Sequence, residues 1–505
     1  MQKELTSTCG NCAERNIPCD GTQPICDACI RDGRFCSGFE ALDFVPRSSP
    51  TLHTANLGTK ISKLDPLTGA VSVIVSTPPW GSQAPARHTQ YFSCPNLKQA
   101  SQNQLQVLPT HSMIPKSIPP DPCILSNALP FISFQYARMI KRMAFGVPPP
   151  TIMTTLMERL SISSTTFSSM TLGAEIIRAM IDATNETNWM GYAKPIDTLH
   201  WQACNTPEEG WGLACAKGRL TVAIELTAYK FFISNNTSGY AFLRRLVPLV
   251  TRVAYNYPQI WTKQGRVSVQ KILQLGVIEL CSFLWMDTMT STLLGTTPFL
   301  CYDTSTHEKL HSRYPLDWMN GCPQEFIGWF AKINTIRSTT TGRRSDSTLI
   351  NWETVEKEIY GWKPIIDRAD ISRDSVTRLA VVEGWRNALL IYLYVGVCGL
   401  TSADRRVQIA VKQIIRLSQI VKHRATYERH LFGPAILAGA CARLESHRRS
   451  ILHVLAFQRR DRMWVLQISD FVFVLRHLWL GSAKDGGSIT WDDYIRSRKA
   501  VLYVN

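Results

Sequence analysis

Apolar positions along the chain fall into two regimes. From about residue 130 onward they recur every three or four residues, the period of an α-helix with one buried face. The clearest case is 402–424. There Val407, Val411, Ile414, Ser418 and Val421 share one side, and Arg405, Arg406, Gln408, Lys412, Arg416 and Gln419 lie opposite. Thr401 or Ser402 suits its N-cap. The same period predicts helices over 131–145, 173–184, 212–233, 239–255, 267–293, 323–336, 352–362, 376–397 and 433–455. Alternating strand patterns are scarce, so residues 130–505 read as one large all-α domain.

Before that point the periodicity is lost. Residues 37–129 are rich in Ser, Thr and Gln and are punctuated by prolines from Pro46 to Pro122. Prolines this frequent interrupt helices and sheet ladders. The segment is expected to be a mostly disordered linker, with a short strand at 70–75. No a/d heptad series follows the N-terminal segment. A dimer, if formed, or a protein co-regulator, is therefore expected to use the C-terminal domain.

Composition adds few surprises. At 505 residues, 45% hydrophobic and 19% charged, the chain suits a small N-terminal module and a large core. No apolar run reaches the length of a membrane span, and with no secretory signal the sequons at Asn185, Asn235 and Asn236 read as coincidences. The net charge of +16 is unevenly placed. Up to Val45 there are four Lys/Arg against seven Asp/Glu, whereas from Thr401 onward there are 18 against 8.

The N-terminal segment carries the sharpest chemical signal. Cys9, Cys12 and Cys19 are followed by Cys26, Cys29 and Cys36, so C-x2-C-x6-C occurs twice at an offset of 17. Two cysteines three apart on a helical turn share a face and can grip one ion. Six thiolates complete two tetrahedra only if one cysteine from each half bridges both ions, and Cys9 and Cys26 are the natural pair. Disulfides would need an oxidising compartment. The other nine cysteines, Cys94, Cys123, Cys204, Cys215, Cys281, Cys301, Cys322, Cys398 and Cys441, show no pairing pattern and are expected to be small buried residues.

The stretch 9–36 resembles the zinc binuclear cluster (Zn2Cys6) of fungal transcription factors, with Asp20 after the third cysteine and Pro24 two before the fourth. The resemblance implies two Zn2+ ions held by the six cysteines, two short helices related by a pseudo-twofold, binding to double-stranded DNA and a place in the nucleus. In that family the helix after the second cysteine carries a basic run into the major groove. Here the segment is Ala13, Glu14, Arg15, Asn16, Ile17 and Pro18. Arg15 is its one cation, and Asn16 stands where the family has its base-reading cation. Asparagine pairs with adenine better than with guanine.

The region from residue 279 onward resembles the regulatory domain of fungal-specific transcription factors. The resembling pieces are Phe283-Leu284-Trp285-Met286-Asp287, Gly321-Cys322-Pro323-Gln324-Glu325, Ala388-Leu389-Leu390-Ile391-Tyr392-Leu393-Tyr394, and Phe432 through Ala440 followed by Arg448-Arg449. The expectation is a zinc-dependent, sequence-specific regulator of RNA polymerase II transcription and not an enzyme. The alternative is a zinc-cluster protein that acts through protein partners without touching DNA.

One motif supports a different class. His307-Glu308-Lys309-Leu310-His311 fits H-E-x-x-H, in which two histidines on a helix bind zinc and the glutamate acts as general base. It lies in a polar stretch between Pro298 and Pro315, has a lysine inside it and lacks an obvious third ligand. A metallopeptidase built on His307, Glu308 and His311 is the marginal reading.

Overall fold

The structure is a computed structural model. It describes residues 13, 16, 18, 19, 125–160, 162–182, 189–205, 212–305, 316–340, 352–364, 373–459 and 466–504. The expected strand at 70–75 lies outside the described residues, as does the linker up to residue 124.

The helical body opens with α1 (Leu125–Met143), ahead of the expected boundary at 130. Pro130 sits inside α1 and costs it one N–H donor without ending it. Then come α2 (Ile152–Leu160), α3 (Ser164–Asp182), α4 (Met190–Asn205), α5 (Leu213–Ile233), α6 (Asn236–Arg245) and α7 (Val247–Tyr255). Neither α2 nor α4 was expected from the periodicity, and Pro195 inside α4 masks its signal. The helix expected at 239–255 is two helices. Pro248 falls in the first turn of α7, where a missing N–H costs nothing.

The helix expected at 267–293 also divides. Val267–Ser268 (β1) leads into α8 (Val269–Leu275), and Ile278–Leu294 forms α9. Gly276 separates them at φ +66, a left-handed turn that glycine enters without strain. Tyr302–Asp303 (β2) pairs in parallel with β1, with Val267 opposite Tyr302, the one sheet among the described residues.

The remaining helices are α10 (Asp317–Asn320), α11 (Gln324–Thr340), α12 (Trp352–Gly361), α13 (Arg373–Gly396), α14 (Arg405–Val421), α15 (Ala425–Glu428), α16 (Phe432–Cys441), α17 (Glu445–Arg459), α18 (Ile468–Leu480) and α19 (Trp491–Val501). The N-cap of α14 is Asp404, whose carboxylate accepts the Arg406 N–H at 2.8 Å, and not Thr401 or Ser402. Ser402 is used elsewhere. It donates its N–H to the Ile489 carbonyl at 2.8 Å, and its hydroxyl accepts the Ile489 N–H at 3.0 Å.

Buried apolar side chains form one cluster from Ala128 to Val504. At its centre α9 packs on α11 and α16, α11 on α13, and α13 on α16, while α14 lies along α13 and α16. Helix α9 is buried on all sides, with every residue from Leu280 to Leu294 except Ser282 enclosed. The first and last thirds of the helical body are latched. Asn236 donates from Nδ2 to the Gln467 carbonyl and accepts the Gln467 N–H, both at 2.8 Å, and its own N–H reaches Asp470 at 2.8 Å. Asn235 caps α6 by accepting the Ser238 N–H. Both asparagines thus use their side chains to hold α6 and the segment at Gln467 in place.

Cys281, Cys322 and Cys441 are buried, and Cys204, Cys215 and Cys398 are half-buried. Cys301 departs from expectation and is exposed, because the neighbouring Tyr302 takes the inward position of the extended backbone. Cys94 and Cys123 lie outside the described residues. No described helix is long and apolar enough to cross a membrane.

Candidate functional site

The residues singled out at the N-terminus are only partly placed. Cys9, Cys12, Cys26, Cys29, Cys36 and Arg15 lie outside the described residues. Cys19 is half-buried. Asn16 is exposed and closes a helical turn, donating its N–H to the Ala13 carbonyl at 3.2 Å with φ at +52. Asparagine enters that left-handed region more readily than most residues. The backbone thus supplies a reason for Asn16 that base reading does not. His307, Glu308 and His311 also lie outside the described residues. Among the described residues, no group of three or more His, Cys, Asp or Glu side chains is placed to hold a metal. The donor chemistry of the six cysteines, thiolates in a doubled spacing, suits zinc.

The four C-terminal pieces do converge. Phe283 to Asp287 lies on α9, Gln324 and Glu325 begin α11, Ala388 to Tyr394 lies on α13, and Phe432 to Ala440 lies on α16. An aromatic series links the helices of three of them, α9, α11 and α13, to α19. Trp285 meets Trp385 edge-on at 5.9 Å, Trp385 meets Phe330 at 6.0 Å, Phe330 meets Tyr392 at 6.2 Å, and Tyr392 meets Trp491 at 5.1 Å. Trp491 stacks on Tyr494 at 4.5 Å, and the Tyr494 hydroxyl donates to the Leu293 carbonyl at 2.6 Å, returning the series to α9. Such edge contacts are favourable geometries for aromatic pairs.

Two buried polar groups bind this centre together. Asp287, fully enclosed, accepts the Phe299 N–H at 3.0 Å and the Tyr302 hydroxyl at 2.8 Å. It thereby fixes the segment that carries β2. Burial pushes its carboxyl up to about 6, against the opposing pull of those donors. Asn334 on α11 donates to the Thr288 carbonyl at 3.0 Å and accepts from Tyr392 at 2.7 Å and Thr292 at 3.2 Å. One amide so ties α9, α11 and α13. Nothing in the sequence marks Asn334, since its partners are 42 to 58 positions away.

Gly433 and Pro434 lie in the first turn of α16, as the helix-entry reading expects, but Gly433 has a second constraint. A Cβ there would fall 2.4 Å from the Trp385 ring. Of the pair Arg448-Arg449, Arg448 is buried across the Trp479 ring and donates to the Ala442 and Ala483 carbonyls at 3.1 and 2.5 Å, while Arg449 faces solvent. The cavity among Trp285, Met289, Thr290, Trp385 and Leu466 is about 10 Å³, room for one water molecule at most. This place is a packed core, not an effector pocket.

One pairing elsewhere has the residue types of a nucleophilic dyad. Cys204 Sγ lies 3.9 Å from Nδ1 of His200. Burial pushes the thiol up to about 11 and the imidazole down to about 3, so both groups are held neutral, the reverse of an activated thiolate–imidazolium pair. His200 also contacts the Thr227 hydroxyl through Nε2 at 3.2 Å and lies against the Phe242 ring. It is a satisfied core histidine.

Residues 279–504, a little under half of the chain, match the family model described as the fungal specific transcription factor domain. No curated protein and no solved structure matches the chain. The matched domain supports a transcription regulator rather than an enzyme and, in general terms, a nuclear protein.

Proposed function

We propose that the chain is a zinc-dependent, sequence-specific DNA-binding regulator of RNA polymerase II transcription, working in the nucleus. The observation that carries this reading is a doubled C-x2-C-x6-C segment upstream of a fungal specific transcription factor domain. Cys9, Cys12, Cys19, Cys26, Cys29 and Cys36 would hold two zinc ions. A segment this short has too little apolar area to fold alone, and bound zinc supplies the missing folding free energy. Arg15 and Asn16 then face the duplex, with Arg15 the stronger phosphate or guanine donor and Asn16 suited to adenine. Because the segment has few cations, affinity falls only shallowly with salt.

A second reading is favoured by the charge of the same segment. Seven acids against four basic residues up to Val45 oppose a polyanion. Here the zinc-held fold serves a protein partner and makes no contact with DNA.

Selection of bound sequences from random duplexes by the full-length protein separates the two. Enrichment of a CGG-like triplet or an adenine-shifted variant supports DNA reading. Recovery of no motif from protein carrying two zinc ions per chain overturns it and leaves the partner reading. Both readings fail if Cys9→Ser with Cys26→Ser leaves the zinc content unchanged. A third ion lost on His307→Ala would instead favour the metallopeptidase.

A further inference from the structure

Helix α14 has two faces. Val407, Val411, Ile414 and Val421 enter the core. The opposite side presents Arg405, Ile409, Lys412, Arg416 and Ile420 to solvent, all exposed, with Ile409 at 56% and Ile420 at 48%. At 100° per residue these five fall within one narrow stripe, roughly 22 Å long. Among the described residues no carboxylate pairs with Arg405, Lys412 or Arg416, whereas the neighbouring Arg406 is bound to Asp404. Lys412 also stands close enough to His447 to disfavour its protonation, after the larger effect of burial. A solvated helix face needs cations, but it does not need two isoleucines among them. Phosphate binding does not need them either. A partner that carries both carboxylates and apolar side chains satisfies both halves of the stripe.

The sequence holds such a partner. Residues 39–45 are Phe39, Glu40, Ala41, Leu42, Asp43, Phe44 and Val45, two acids interleaved with four large apolar residues. They belong to the acidic N-terminal segment, whereas α14 lies in the basic last fifth of the chain. The stretch between Val45 and Leu125, at up to about 3.3 Å per residue, reaches any point on the helical body. Tethering also gives this segment a local concentration that a separate protein would have to match. We propose that the exposed stripe of α14 docks residues 39–45 of the same chain, with Glu40 and Asp43 against Lys412 and Arg416 and with Phe39, Leu42 and Phe44 over Ile409 and Ile420. Docking brings the cysteine segment that ends at Cys36 against the regulatory domain, so the two ends of the chain compete with anything else that binds either one. The inference does not depend on DNA binding.

The test is photo-crosslinking of the dilute full-length protein with benzoylphenylalanine in place of Phe44, mapped by peptide mass spectrometry. The expected products join that position to residues 405–420 within one chain. Lys412→Glu with Arg416→Glu lowers their yield at least about fivefold, and adding Glu40→Lys with Asp43→Lys restores it. Ile409→Ser with Ile420→Ser lowers the yield while leaving every charge in place. All four substituted positions on α14 are exposed, and thermal melting checks that the helical body stays folded. Products elsewhere on the body, or a yield indifferent to charge reversal, overturn the proposal. Products joining two copies replace it with an intermolecular interface. Unchanged products, together with weaker binding of the charge-reversed protein to random-sequence duplex, assign the stripe to DNA instead.

Discussion

Two carboxylates, one half-buried and one fully enclosed, lie on either side of the matched domain's boundary and solve the same problem differently. Upstream, Glu225 on α5 is met by the Arg159 guanidinium at 2.6 Å and by the hydroxyls of Tyr229, at 2.8 Å, and Tyr136. A charge is answered there by a charge. Within the matched domain, Asp287 is met only by neutral donors, the backbone N–H groups of Phe299 and Leu300 and the hydroxyls of Tyr302 and Ser291. It has no guanidinium or ammonium partner, and its proton is correspondingly easy to retain. The first centre is an ion pair with phenols closed around it. The second is a hydrogen-bonded staple whose charge is optional. Desolvating a charge is costly unless it is paired, so the two centres should fail under different conditions.

The largest effect is expected from Asp287→Ala, which strands the Phe299 N–H and the Tyr302 hydroxyl inside the protein. A loss of about 4 kcal/mol at neutral pH is expected in urea unfolding, with the β1–β2 segment exchanging its amides fastest. If the loss stays below about 1 kcal/mol, the staple is not structural. Asp287→Asn sharpens the contrast through pH. The folded carboxyl titrates at about 6 and the unfolded one near roughly 4, so the folded state holds the extra proton. Its contribution is complete below about pH 4 and is lost as pH rises through about 6, a change of about 3 kcal/mol. The penalty for the asparagine variant should therefore shrink by about that amount between pH 4 and pH 7. A constant penalty would show that the carboxyl is ionised throughout.

Glu225→Gln should cost about 2–3 kcal/mol, because Arg159 keeps its charge with side-chain exposure of only 23%. Replacing Arg159 with Met as well should recover part of that loss, a result the staple at Asp287 cannot imitate. The smallest effect, about 1–3 kcal/mol, is expected for Gly433→Ala, since the new methyl must displace the Trp385 ring. A shift in tryptophan fluorescence should accompany it, and an unchanged melting temperature would mean that the ring yields freely.

The sequence reveals these regions to very different degrees. Helix α14 is legible because one of its faces is wet, so the period shows. Helix α9 and helix α16 are enclosed on every side, and an enclosed helix has no polar face to mark its period. That is why the pattern over 267–293 runs through the break at Gly276. Helix α4 hides behind Pro195, and α18 and α19 have no counterpart among the expected helices. The cysteine repeat is legible because metal binding imposes local spacing. The core network is not. Asp287 appears in the sequence only as the last residue of an apolar piece, and Asn334 meets Tyr392 across 58 positions with no periodicity to announce it. Asn16 shows the limit in the other direction, since a residue read for its side chain has a backbone reason to be asparagine.

The clasp between Asn236 and Gln467 has a practical consequence. The family boundary at residue 279 runs between its two halves. A fragment trimmed to that boundary would carry Gln467 and Asp470 with their partners removed and would open the apolar faces that α5, α6 and α7 cover on α9. The match to the family model begins at residue 279, but solubility is set further upstream, and the fragment should precipitate where the longer helical body stays in solution.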